Sequence, residues 1–274
     1  MTRAGALVRA CHPEPTAAVT TIATALAVSA GMGGRALLVT AAFLTGQLSV
    51  GWSNDWIDAA RDTRTGRDDK PVARGELPVE VVRAAAVIAL ALCVPLSLAL
   101  GVRAGLLHLA AVGAAWSYNA RLKSSLLSWA PYALAFGAVP SIVTLALPDP
   151  VVAPAWATTA GALLGVGAHL TNVLPDLEED LATGVRGLPH VLGPRRSAAL
   201  AAVLLLAAAG VLAVGPGQPG PVVAGAVGVA AAVTAVGLVR ARRAGSRDAF
   251  RAAILVAALC VGLLVARGAA LAPT

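Results

Sequence analysis

The chain has 274 residues, 58% hydrophobic and 13% charged, with a formal net charge of +7. A soluble domain carries about 25% charged residues, so water is not the solvent for most of this chain, and a large soluble helical enzyme is set aside. The positive charge is no nucleic-acid signature either, because Arg and Lys gather beside apolar runs, where membrane topology and anionic lipid account for them.

In chain order, the segment 1–16 carries Arg3 and Arg9 but also Pro13 and Pro15, and no small-residue cleavage site follows the next apolar run. The first helix is therefore expected to be retained. A bilayer crossing takes about 20 apolar residues, which places spans near 17–34, 36–53, 80–100, 103–119, 126–147, 152–172, 197–214, 221–239 and 251–271. Only Gly31, Gly33, Gly34 and Arg35 separate the first two. With the N-terminus inside, eighteen of the 21 Arg and Lys residues fall on one side, against Arg35, Arg103 and Arg267 on the other. The positive-inside rule then puts the N-terminus and the long loops in the cytoplasm. Cys11, Cys93 and Cys260 are scattered and odd in number, so they suggest neither a disulfide framework nor a metal knuckle. The expected fold is all-α, a single membrane domain over 1–274. It is a polytopic bundle of about nine transmembrane helices around a central cavity, with two Asp-rich cytoplasmic loops forming a cap. The Ala-rich, Arg-over-Lys usage is that of a GC-rich bacterium, which gives a multi-pass protein of the cell membrane.

Eleven of the fourteen acidic residues lie in two segments. Asp55, Asp58, Asp62, Asp68, Asp69, Glu76 and Glu80 form the first, and Asp176, Glu178, Glu179 and Asp180 the second. Polar loops carry charge for solubility alone, but the spacing asks for more. Asn54, Asp58 and Asp62 recur at i, i+4 and i+8, one stripe of a helix, and Asp176 and Asp180 repeat the step. Carboxylates stacked in this way repel one another by roughly 0.2–0.5 kcal/mol per pair, so two such stripes favour a cation between them. Magnesium fits, because it takes oxygen ligands from one or two carboxylates and completes its shell with phosphate and water.

The stripes run on into the apolar segments. Gln47 lies seven residues before Asn54, and His169, Asn172, Asp176 and Asp180 follow a 3-4-4 step, so each polar face is expected to line a cavity open to the cytoplasm. For His169 two readings stand, a hydrogen-bonded helix-end histidine or a pocket residue. Arg61, Arg64, Arg67, Lys70 and Arg74 follow the first stripe, Arg186 the second, and Arg121 with Lys123 lies between. Topology explains most of these cations. Lys123 and Arg67 are the chosen ligand contacts, since Lys70 and Lys123 are the only lysines.

These residues resemble the UbiA-type intramembrane prenyltransferase superfamily. Asn54-Asp55-Trp-Ile-Asp58-Ala-Ala-Arg61-Asp62 is similar to its NDxxDxxxD motif, trailed by Lys70-Pro71 and Gly75-Glu76-Leu77. Asp176-Leu-Glu-Glu-Asp180 before Thr183-Gly184 is similar to its second motif, and Tyr118-Asn119 with Lys123 to the Tyr/Lys element between them. The resemblance covers roughly residues 9–195. It implies that Asn54, Asp58, Asp62, Asp176 and Asp180 hold Mg2+ on the diphosphate of an allylic isoprenoid, with Lys123 and Tyr118 near the leaving group. Asp55, Arg61, Arg67, Lys70 and Arg186 are then substrate contacts, and Gln47, His169 and Asn172 acceptor contacts. Members often carry Arg after the middle Asp, where this chain has Ala59, and Arg61 is the nearest replacement. The implied partners are an isoprenoid diphosphate donor, a hydrophobic or aromatic acceptor and the lipid bilayer. A terpene cyclase or a phosphosugar or lipid prenyltransferase on the same fold is the near alternative, and a small-molecule or ion transporter the distant one.

Overall fold

The computed structural model describes residues 2–215, 217, 220–240 and 248–271. The loop cations Arg242, Arg243 and Arg247 lie outside these residues. Among the described residues there is no strand, and the chain runs through eleven α-helices. They are α1 (Arg3–Ala10), α2 (Pro13–Ser29), α3 (Ala36–Thr65), α4 (Val79–Ala99), α5 (Val102–Ala120), α6 (Ala130–Leu145), α7 (Ala155–Val173), α8 (Leu177–Ala182), α9 (Leu188–Val214), α10 (Pro221–Arg240) and α11 (Asp248–Ala266). All but α1 and α8 are 16 residues or longer, and these long helices overlie the nine expected spans.

By length and composition, Gly33–Thr65, Val79–Ala99 and Leu188–Val214 are each apolar enough to cross a membrane, and Ala130–Leu145, Pro221–Gly237 and Arg251–Ala266 are shorter apolar helices. The outer surface agrees with a lipid solvent. Val87, Ile88 and Leu92 of α4 are 50%, 60% and 53% exposed. A run of such residues on one helix is costly in water and free in hydrocarbon.

The element boundaries depart from expectation where polar residues act on the backbone. The first acidic stripe is no loop. It is the continuation of α3, whose 30 residues at about 1.5 Å each exceed the ~30 Å of a bilayer core, so the Asn54–Thr65 end projects beyond the apolar part. The helix stops at Gly66, in a left-handed conformation (φ 68°), with the Arg67 N–H donating to Asp62 O at 3.1 Å. Residues 126–129 are turn rather than helix, because the Ser125 hydroxyl accepts from the Leu127 N–H at 3.2 Å and holds the backbone there. The helix expected from residue 197 begins at Leu188 and breaks at Gly193 (φ 76°) ahead of Pro194.

Small residues set the helix spacing at the centre. A Cβ on Gly165 of α7 would collide with the Tyr132 carbonyl of α6, so only glycine allows this backbone approach. One turn later on α7 is His169, which this approach brings against the Tyr132 ring.

Candidate active site

The projecting end of α3 is held from both sides. On one side, the chain between α1 and α2 crosses α3 so closely that a Cβ on Gly51 would collide with the Cys11 carbonyl. The Trp52 indole N–H donates to Leu7 O at 2.9 Å, and Ala6, Ala10, Leu77 and Val82 bury together beneath α1. The crossing places His12, in a left-handed conformation (φ 55°), beside α3. His12 Nε2 lies 3.0 Å from Asp55 Oδ1 and 2.9 Å from Lys70 Nζ, and Lys70 donates to the same Asp55 oxygen at 2.6 Å. Lys70 also reaches Asn54 Oδ1 at 3.3 Å. Asp55 thus faces a cation, while its second oxygen is buried without a hydrogen bond.

On the other side stand the remaining members of the stripe. Asp58 and Asp62 are 6% and 3% exposed, an expensive place for carboxylates unless cations compensate. Lys123 donates to Asp58 Oδ1, and Arg61 reaches Asp58 Oδ2 at 3.0 Å and Asp62 Oδ1 at 3.4 Å. Asn54 donates to Asp58 Oδ2 and to Asn119 Oδ1, tying α3 to α5. Burial raises the Asp62 carboxyl above its ordinary value, with Lys70 pulling against it. Burial also lowers the Lys123 ammonium, opposed by Asp58. The two effects mark a region where charge is desolvated and paired.

The second acidic segment consists of a 3-10 turn (Leu174–Asp176) leading into α8. Arg67 joins it to the first. Its guanidinium is bidentate on Asp69 at 2.7 and 2.8 Å and reaches Glu179 Oε1 at 3.2 Å, across 112 residues of sequence. Those bonds push the Arg67 guanidinium up and hold the Asp69 carboxyl at about 2. Asp176 is half-buried and raised by that burial, with the charge of Arg67 pulling against it. Asp180 accepts from His190 at 3.3 Å.

Between the two segments sits an aromatic group. Tyr118 meets Tyr132 and His169 edge to face, at centroid distances of 5.2 and 5.6 Å, and Tyr132 lies 4.8 Å from His169 and 6.3 Å from Phe136. Tyr118 feels both Asp180 and Asp58, so it stands at the junction of the two stripes. His169 Nε2 lies 3.0 Å from the Ser128 hydroxyl and Asn172 interacts with the Tyr132 hydroxyl, which joins them to the same group.

Most of the expected residues therefore gather in one region, but among the described residues Asp176 is tied to it only by the charge of Arg67, and Gln47 and Arg186 do not join it through polar contacts. Gln47 is half-buried and makes no side-chain hydrogen bond among the described residues, and Arg186 is exposed with no ion pair among them. His12 and His190 were missed by sequence reasoning. Each lies outside the i, i+4 pattern of its stripe, and neither has a local signal beyond a single adjacent proline, Pro13 after His12 and Pro189 before His190.

Among the described residues no three His, Cys, Asp or Glu side chains converge tightly enough to hold a metal by themselves. The donors are instead oxygens divided between two segments. That set suits Mg2+, which is held by a few carboxylates together with phosphate oxygens rather than by an all-protein cage.

With this geometry in view, the relatives are informative. A family model described as the UbiA prenyltransferase family matches residues 15–258. Among curated proteins no sequence matches. The fold is shared with a UbiA homolog from Archaeoglobus fulgidus bound to GPP and Mg2+, at 18% identity and a TM-score of 0.69, covering 95% of this chain and 99% of that one. It is also shared with digeranylgeranylglyceryl phosphate synthase, at 14% identity and a TM-score of 0.71, covering 98% and 99%. A UbiA homolog from Aeropyrum pernix K1 in its apo form gives 18% identity and a TM-score of 0.68, covering 90% and 96%. The match across nearly the whole length, with both acidic motifs inside it, leads to one conclusion: the chain belongs to the UbiA prenyltransferase family and is a prenyltransferase.

Proposed function

We propose that this protein transfers a prenyl group from an allylic isoprenoid diphosphate to an aromatic acceptor, a quinone or meroterpenoid precursor, in a Mg2+-dependent reaction at the cytoplasmic face of the cell membrane. The observation that carries this reading is the pairing of Asp58 with both Lys123 and Arg61. It sets cations and carboxylates on one face, beside an aromatic group that feels both acidic segments.

Asn54, Asp58 and Asp62 from α3 and Asp176 and Asp180 from the second segment would hold the metal. When bound, it supplies electrostatic neutralisation of the diphosphate oxygens. Lys123 and Arg61 exchange their carboxylate partners for phosphate oxygens and stabilise the charge that develops on the leaving group as the allylic C–O bond breaks. Lys70, held by Asp55, adds a third cation. The faces of Tyr118 and Tyr132 stabilise positive charge on the allylic fragment, and the apolar helix packing below them keeps water away. The acceptor attacks that fragment near His169 and Asn172 and then loses a proton. Nine membrane crossings, with both acidic segments cytoplasmic, place eighteen of the 21 Arg and Lys residues on the inner side.

Membranes containing the protein, incubated with labelled geranyl, farnesyl and geranylgeranyl diphosphates with and without aromatic acceptors, test the reading. Labelled prenylated aromatic product is expected only with acceptor and Mg2+. Terpene hydrocarbon or alcohol formed without acceptor would make the protein a cyclase, and product formed only with a lipid or phosphosugar would move the acceptor class.

A further inference from the structure

His190 lies outside both acidic motifs, yet its ring is almost completely buried, with 2% of the side chain exposed, and both nitrogens are used. The Gly187 N–H donates to His190 Nδ1 at 3.0 Å. A nitrogen that accepts a hydrogen bond carries no proton, so in the neutral ring the proton is on Nε2. Nε2 faces Asp180 Oδ2 at 3.3 Å and donates to it. The backbone thereby selects the tautomer that binds the carboxylate.

The same turn is fixed to the loop that carries Lys123. The Leu188 N–H donates to the Ser128 hydroxyl at 3.0 Å. A Cβ on Gly187 would stand 2.5 Å from the Lys123 carbonyl oxygen, so this approach of the two loops depends on glycine. His190, at the third position of α9, thus does two jobs. It accepts from the N-cap N–H, as Glu or Gln does in a capping box, and it aims Asp180.

We propose that His190 is a positioning residue that fixes the Asp180 carboxylate for cation and diphosphate binding, and that the Gly187–Leu188 turn holds this carboxylate in register with Lys123. The inference rests on the reading of Asp180 as a metal ligand given above. Hydrogen-bond partners of ligating carboxylates typically matter by 10–100-fold in metal affinity.

His190→Gln keeps an acceptor for the cap and a donor for Asp180. His190→Glu keeps the cap, loses the donor and adds a like charge. The full-length protein in detergent is titrated calorimetrically with Mg2+ in the presence of inorganic diphosphate, and its melting is followed in parallel. H190E is expected to bind Mg2+ at least about 10-fold more weakly than wild type, and H190Q within about 3-fold of it. His190→Ala is run alongside and carries the comparison if H190E does not fold. Equal weakening of H190Q and H190E (or H190A) would show that the donor to Asp180 is not what matters, and no weakening in any variant would reduce His190 to a helix cap; either result overturns the proposal. Wild-type protein with no Mg2+-dependent diphosphate binding would overturn the metal-site reading and this inference together.

Discussion

The Lys123 ammonium donates to Oδ1 of Asp58, a side chain 65 residues away, where both are largely buried. Lys123 is on the short loop after α5 and Asp58 on the projecting end of α3, so the pair fixes one against the other. Arg61 remains on the other Asp58 oxygen, and a Lys123→Met variant should therefore keep its fold. Its turnover should fall by about 100-fold or more, the usual cost of removing one group that stabilises developing charge. Lys123→Arg should recover only part of it, because a planar fork does not replace a point charge in this geometry. Steady-state kinetics beside detergent melting curves check both.

Asp58→Ala and Asp176→Ala should each abolish turnover while leaving a cooperative melt, and EDTA should do the same reversibly to wild type. Burial raises Asp62 and Asp176 above the ordinary carboxyl value, so protons compete with the cation there. The acid limb of the pH–rate profile is expected to move to lower pH as Mg2+ is increased. Full activity in either variant or in EDTA defeats the metal assignment.

Arg67 and Asp69 give a prediction of the opposite sign. Asp69 is lowered from 3.8 to about 2 by Arg67. The stabilisation from this pair is present above about pH 4 and lost as the pH falls towards 2. The Asp69 side chain is 60% exposed, and such a pair contributes about 0–1 kcal/mol. Asp69→Asn should therefore lower the melting temperature slightly by a constant amount at neutral pH, and the gap should close in acid. A gap that widens below pH 4 would contradict the assignment.

Gly51→Ala tests how the N-terminal helix reaches the site. The added methyl would meet the Cys11 carbonyl, backbone that has no free rotation, so a loss of about 1–3 kcal/mol or more is expected. Displacing this crossing also carries His12 away from Asp55. Gly113→Ala in α5 meets nothing within 4 Å and should be neutral or stabilising by up to about 1 kcal/mol. Paired melting curves and turnover read the difference.

The apolar surroundings, the helical class, the approximate helices and both acidic stripes are legible in the amino-acid sequence alone. These are properties of composition and of the 3.6-residue period, which act within a few turns of one helix. Asn54, Asp58 and Asp62 lie on one stripe whatever surrounds them. Packing, in contrast, chose which partner meets which carboxylate: Lys123 on Asp58, Lys70 and His12 on Asp55, Arg67 on Glu179 and His190 on Asp180. Most of these contacts bridge tens of residues and depend on how closely helices approach, which Gly51, Gly165 and Gly187 permit through the absence of a single carbon. A lone histidine or glycine carries no local mark of such a role, because its partner is chosen by packing and not by spacing.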